Sequence, residues 1–176
     1  MNGIPATEYV ALPEVPQENS FILDTLAFAK GVDHVEYAVT EKSFSPVLTG
    51  VLIKTGKAEA SEKLIFVGTD SFRLSEYRIH QTTGSDFSLI IPKGLVNDMR
   101  AIVSFAIAKE VPDMKVNYSE NLIAFSFQIE EIKIIATSLL IQGNFPEYER
   151  EEVLPTQFVT KVMLDKNDCD KAIKKI

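Results

Sequence analysis

Apolar residues recur at Phe28, Val32, Val35 and Val39, in steps of four, three and four. That stripe predicts one helix from Thr25 to about Val39, with Asp24 as its N-cap. Gly31 falls inside it, at a cost of about 1 kcal/mol relative to Ala. A second stripe, Leu95, Met99, Ile102 and Val103, predicts another helix, with Pro92 at its first position and Val111-Pro112-Asp113 ending the segment. Lys93, Asn97, Arg100 and Ser104 fall on a different face of that helix. Elsewhere the period is two. Ile123, Phe125, Phe127 and Ile129 alternate with Ala124, Ser126 and Gln128, the mark of a half-buried strand from Leu122 to Ile129.

Shorter apolar runs predict the other strands: Phe21-Ile22, Val47 to Lys54, Leu64 to Gly68, Phe72 to His80, Ser88 to Ile91, Met114 to Tyr118 and Ile132 to Ile141. Gly56 to Glu62 reads as a polar turn, Asp70-Ser71 as a tight turn and Gln81 to Asp86 as a loop. The apolar phase slips between Leu74 and Tyr77, which predicts a bulge. Helices separated by runs of hairpins point to an α+β fold, with two helices packed on antiparallel sheets. Both halves follow the same layout, a duplicated βαβββ-like unit. Residues 1–17, with Pro5, Pro13 and Pro16 and no sustained period, read as a linker. Residues 18–155 form the main domain. Phe158 to Met163 predicts a further strand, and Asp165 caps a helix running to the end. Such a helix has too little around it to pack alone, so residues 156–176 read as the truncated start of another domain.

Composition narrows the function. The chain has 176 residues and a net charge of −7. A protein that grips phosphate with its whole surface would be basic, so strong DNA contact by the chain as a whole is not expected. The single cysteine, Cys169, excludes an internal disulfide and fits a reducing cytoplasm. The opening Met1-Asn-Gly-Ile-Pro has neither a basic start nor an apolar core, so no signal peptide is expected. Ser71, Asp70 and His80 are the residue types of a hydrolytic triad, but no nucleophile elbow surrounds any serine. With two histidines and one distant cysteine there is no metal-ligand spacing, and no Gly-rich phosphate loop occurs. No metal and no cofactor are expected.

An ordered series of segments carries a resemblance. It comprises Phe21-Ile22, SPVLTGVLI (45–53), VGTDSFRLS (67–75), LIIPKGLVNDM (89–99), NLIAFSF (121–127), LLIQGNFPEYER (139–150) and VLP (153–155). Together they resemble the middle domain of the bacterial sliding clamp, the beta subunit of DNA polymerase III. Residues 159–176 resemble the opening of that family's third domain, and the segment before Pro16 resembles the linker after its first. The resemblance implies a DNA-clamp fold and a non-catalytic role in DNA replication. The implied protein is a processivity factor, a ring-shaped homodimer that encircles duplex DNA without reading its sequence. It would tether the polymerase III catalytic subunit and also bind the clamp loader and other partners.

The resemblance also implies a pocket for short, extended, partly apolar peptides. Thr69, Ser71, Phe72, Arg73 and Leu74 match one part of it, and Leu48, Pro146, Tyr148, Arg150 and Val153 match positions in or near the rest. Phe72 stands where the family often has a smaller polar or imidazole side chain, and Glu151-Glu152 read as an insertion. Lys30, His34, Lys93 and Arg100 are the implied DNA-facing residues, although Asp33, Glu36 and Asp98 are close by, so that face is not expected to be strongly basic. Two other readings stay open: a stand-alone α+β interaction module with a clamp-like fold, and a small hydrolase using an unrecognised site, which loss of an activity on mutating Ser71 or His80 would favour.

Overall fold

The computed structural model describes residues 14–58, 61–155 and 157–174, together with Pro5 and Glu8. The chain divides into two compact units, Met1–Phe145 and Pro146–Ile176. The first contains β1 (Asn19–Asp24), α1 (Thr25–Val35), β2 (Gly50–Ala58), β3 (Ser61–Thr69), β4 (Leu74–His80), β5 (Ser88–Pro92), α2 (Lys93–Ala108), β6 (Asp113–Tyr118), β7 (Leu122–Ile129) and β8 (Ile132–Leu139). Short 3-10 turns occupy Glu36–Ala38 and Pro46–Thr49. The expected α+β fold with antiparallel sheets is present.

The strands form two four-stranded antiparallel sheets, ordered β1-β6-β7-β8 and β4-β3-β2-β5. Each half of the first unit is a βαβββ series, but the halves exchange their opening strands. β1 pairs with β6 of the second half, with Phe21 opposite Val116, and β5 pairs with β2 of the first, with Leu52 opposite Ile90. Neither half closes a sheet by itself, so the two fold as one body.

The apolar stripes build the shared core. Phe28, Val32, Val35 and Val39 are all buried, as are Leu95, Met99 and Val103. The Phe28 ring packs 6.2 Å from Phe66 of β3 and 5.3 Å from Phe125 of β7, so α1 bridges both sheets. Truncating such a ring costs about 3–5 kcal/mol. Gly31 has a packing reason, since a Cβ there would lie 2.6 Å from the Phe66 ring. The Ala27 N–H donates to Asp24 Oδ1 at 2.6 Å, the expected N-cap. At the far end of α2, Glu110 takes φ 57°. The Val111 N–H then reaches the Ala106 carbonyl and the Glu110 N–H that of Ile107, both at 3.0 Å, which ends the helix before Pro112.

Several boundaries differ from the sequence expectation. α1 stops at Val35 and tightens into the 3-10 turn, although Val39 stays buried. Val47 and Leu48 lie in a 3-10 turn that starts at Pro46 and is closed by the Thr49 hydroxyl donating to the Pro46 carbonyl at 2.7 Å. A proline at the first position favours a helical turn over a strand. Gly56 to Glu62 is not a seven-residue turn. The β2–β3 ladder continues through Gly56↔Lys63 to Ala58↔Ser61, because backbone pairing does not require apolar side chains. β4 has no bulge, and its register with β3 is unbroken from Lys63↔His80 to Thr69↔Leu74. β4 is an edge strand, half-buried on both faces, so its apolar phase is loose. Pro92 is the N-cap of α2 and not its first helical residue. β8 ends at Leu139, and the Ile141 N–H turns to the Ile90 carbonyl at 2.9 Å.

In the second unit, α3 (Lys166–Ile173) is capped by Asp165, whose Oδ1 accepts from the Asn167 and Asp168 amides. Phe158 to Met163 forms no strand, and among the described residues none of its backbone groups joins a ladder. The expected linker over residues 1–17 falls mostly outside the described residues, as do its following-domain start at Thr156 and the chain end at Ile176.

Candidate partner-docking turn and helical face

β3 ends at Thr69 and β4 begins at Leu74, so Asp70 to Arg73 must reverse the chain. Asp70 organises the reversal. Its Oδ1 accepts the Phe72 N–H at 2.9 Å and the Arg73 N–H at 2.7 Å. Its Oδ2 accepts from Arg73 Nε at 3.0 Å and from a terminal guanidinium nitrogen at 2.8 Å. These backbone N–H groups, together with the Arg73 guanidinium, favour the charged carboxylate and hold its pKa down at about 2. Thr69, itself buried, donates its hydroxyl to the Arg73 carbonyl at 2.7 Å and accepts the Ser71 N–H at 3.2 Å. The clamped backbone puts Ser71 in the left-handed region at φ 75°. Gly68 seats the turn on the body, because a Cβ there would lie 2.3 Å from the Val35 carbonyl oxygen.

The result is a stiff tip. Phe72 is 96% exposed and the Arg73 side chain 60% exposed. Both were expected in a strand. They lie in the turn because Asp70 captures their amides. Leu74 is half-buried at the first position of β4. Leu48 is buried just ahead of β2, and the β2–β3 register puts that end of β2 beside the Thr69 end of β3. Thr69, Ser71, Phe72, Arg73, Leu74 and Leu48 therefore share one end of a sheet. The chain after β8 also approaches that end, since a Cβ on Gly143, at φ 133°, would lie only 2.9 Å from Val47.

The remaining expected pocket residues belong to the second unit. Tyr148 is buried, whereas Pro146, Arg150 and Val153 are exposed. Arg150 Nε donates to Glu147 Oε2 at 2.8 Å, and the Arg150 carbonyl accepts the Val153 and Leu154 amides, both at 2.9 Å.

The four expected DNA-facing residues lie on α1 and α2, which pack against each other. Two of them, Arg100 and Lys93, have their charge engaged within the protein. Arg100 pairs with Glu36 Oε2 at 2.5 Å and Asp33 Oδ1 at 3.1 Å. Lys93 donates its ammonium to the Val39 carbonyl at 3.2 Å and lies 3.8 Å from Glu41. His34 stacks on Tyr77 with centroids 4.3 Å apart, and its Nδ1–H donates to the Lys30 carbonyl at 2.7 Å. Lys30 itself is exposed. The sequence places Asp33 and Glu36 among the acids near these residues but gives no sign of their pairing with Arg100, because 64 residues separate Arg100 from Glu36.

The geometry does not assemble Ser71, Asp70 and His80. His80 closes β4, so six strand steps, about 20 Å, separate it from Leu74. Among the described residues, no group of three or more His, Cys, Asp or Glu side chains could hold a metal ion, and no helix is long and apolar enough to cross a membrane. An open polar depression lined by Glu18, Ser119, Glu120, Asn121 and Gln142 contains none of the expected site residues.

Comparison with known proteins agrees with this fold. The sequence profile described as DNA polymerase III beta subunit, central domain, matches residues 22–147. A beta sliding clamp of Staphylococcus epidermidis is 25% identical over 98% of this chain, which spans 42% of that relative's length. The crystal structure of the DNA polymerase beta subunit from Streptococcus pyogenes superposes with a TM-score of 0.78 at 26% identity, covering 99% of this chain and 44% of that one. A sliding clamp of Bartonella birtlesii, solved bound to griselimycin, gives 0.81 at 22% identity, covering 98% of this chain and 44% of that one. With the profile spanning well over half of its length and the two exchanged βαβββ halves in place, the chain belongs to the DNA polymerase III beta subunit family, in its central domain.

Proposed function

We propose that this chain is the central part of a sliding clamp, a non-catalytic processivity factor whose complete ring encircles duplex DNA and tethers the replicative polymerase. In this reading the Thr69–Leu74 turn, with Leu48 beside it, docks short peptide motifs of the polymerase, the clamp loader and other partners, and Pro146, Tyr148, Arg150 and Val153 of the second unit are proposed to contact such motifs as well. The α1/α2 surface is the side that meets DNA. The observation that carries the docking role is the stiff turn itself. Asp70 and Thr69 spend a carboxylate and a buried hydroxyl on fixing the backbone that presents one exposed aromatic ring and on tethering one exposed guanidinium. An aromatic ring carried on a fixed backbone beside a polar group suits an extended, partly apolar peptide, because the backbone has little ordering entropy left to lose on binding.

An NMR titration with a clamp-binding peptide from a replicative polymerase tests this. Shifts should concentrate at Leu48, Thr69 to Leu74 and Pro146 to Val153. Arg73→Ala and Leu74→Ala should weaken docking while the spectrum stays that of a folded chain. Shifts elsewhere, or global unfolding of both variants, would remove the docking assignment.

A further inference from the structure

The α1/α2 surface carries Lys30, Lys93 and Arg100 against Asp33, Glu36 and Asp98, with Glu41 just beyond α1. By charge it is close to neutral, which is unusual for a surface that approaches phosphates. The cause is specific. Arg100 projects from α2 toward the end of α1, where Glu36 takes one terminal nitrogen and Asp33 the other. Its side chain remains 49% exposed, so a phosphate can approach, but only by displacing a carboxylate from the same donors. The pair with Asp33, about half exposed on both sides, is of the weak and readily exchanged kind, whereas Glu36 is only 16% exposed.

We infer that Asp33 and Glu36 act as internal competitors for Arg100 that hold the contact of this face with duplex phosphates to a weak one. The inference rests on the reading that the α1/α2 face meets DNA. A contact that must slide has to be made and broken at every step. A fully available guanidinium would add counterion-release affinity at each phosphate it met. Carboxylates within the protein reduce that gain at every position along the DNA, because their competition does not depend on sequence.

Fluorescence anisotropy of the full chain with a short labelled duplex, over a salt series, tests the inference. Asp33→Asn with Glu36→Gln should lower Kd about tenfold at low salt and steepen the log–log salt slope by about one, the signature of one added phosphate contact. Adding Arg100→Ala should reverse both changes. Glu120→Gln with Glu131→Gln removes the same amount of charge elsewhere on the surface and should leave the slope unchanged. Should the double variant not fold, Asp33→Asn alone, at the more exposed partner, should still give an increase of about threefold. Equal behaviour of the two double variants would overturn the competition. If Lys93→Ala with Arg100→Ala nevertheless weakened binding, the DNA-facing reading would stand without it. If those changes had no effect either, both would fall.

Discussion

Thr69→Val tests whether the turn is held as described. Valine keeps the shape of threonine and replaces the hydroxyl with a methyl group. Two hydrogen bonds disappear, the 2.7 Å bond to the Arg73 carbonyl and the 3.2 Å bond from the Ser71 amide. Neither partner becomes a buried orphan. The Arg73 carbonyl retains the Asp70 N–H at 3.3 Å, and Ser71 is open to water. The loss is then the net worth of two bonds, about 1–2 kcal/mol, and not a full desolvation penalty. For a chain of this length that is a fall in Tm of about 2–8 °C. Ser71 would also lose the amide bond that holds it at positive φ, a conformation that costs a non-glycine residue about 1 kcal/mol or more. Urea denaturation should show the global loss, amide exchange should show faster exchange at Ser71, and peptide affinity should fall. Thr69→Ser, which keeps the oxygen, should preserve Ser71 protection. A valine variant with unchanged midpoint and unchanged Ser71 exchange would show that the hydroxyl does not hold the turn.

Gly68→Ala would drive a Cβ to 2.3 Å from the Val35 carbonyl oxygen, a backbone atom that cannot rotate away. It should cost about 3 kcal/mol, at the upper end of ordinary overpacking, and a midpoint within error of wild type would refute the close approach. Thr25 is buried and its hydroxyl has no partner among the described residues, so Thr25→Val should raise stability by about 1 kcal/mol, and a lower denaturation midpoint would reveal a hidden partner. The Asp70 carboxyl, at about 2 against an ordinary 3.8, stabilises the fold fully above about pH 4 and loses that contribution as pH falls through 2. A carboxyl NMR titration should place its midpoint near 2, and a midpoint near 4 would show that the amide bonds do not form in solution.

What the sequence revealed depended on how local the cause was. The α1 stripe and the β7 alternation were legible because periods of 3.6 and 2 are written residue by residue. The Asp24 and Asp165 caps were legible because a carboxylate reaches an amide two or three residues ahead. Phe72 and Arg73 were misplaced into a strand because aromatic and long side chains resemble strand residues. The signal that decided the matter was Asp70 lying two and three positions before them, within reach of both amides. The 3-10 turn at Pro46–Thr49 was missed for a similar reason, with Val47 and Leu48 outweighing the proline. The pairings of β1 with β6 and of β5 with β2 left no local trace, and neither did the capture of Arg100 by Asp33 of α1 and Glu36 just beyond it.

The exchanged strands also explain why the two candidate surfaces rely on one framework. β5 ends at Pro92, opposite Gly50 of β2, and α2 starts at the next residue with Lys93. β2 also pairs with β3, which leads into the Thr69 turn. The Gly68 contact then joins that turn to the end of α1, one residue before Glu36. A displacement of α1 away from β3 would therefore disturb both the seat of the Thr69 turn and the carboxylate that holds Arg100. Gly68→Ala supplies that displacement with a single methyl group. If the framework is shared as the contacts indicate, this variant should lose Ser71 amide protection and steepen the DNA salt slope together. Loss of one without the other would show that the two surfaces are supported independently.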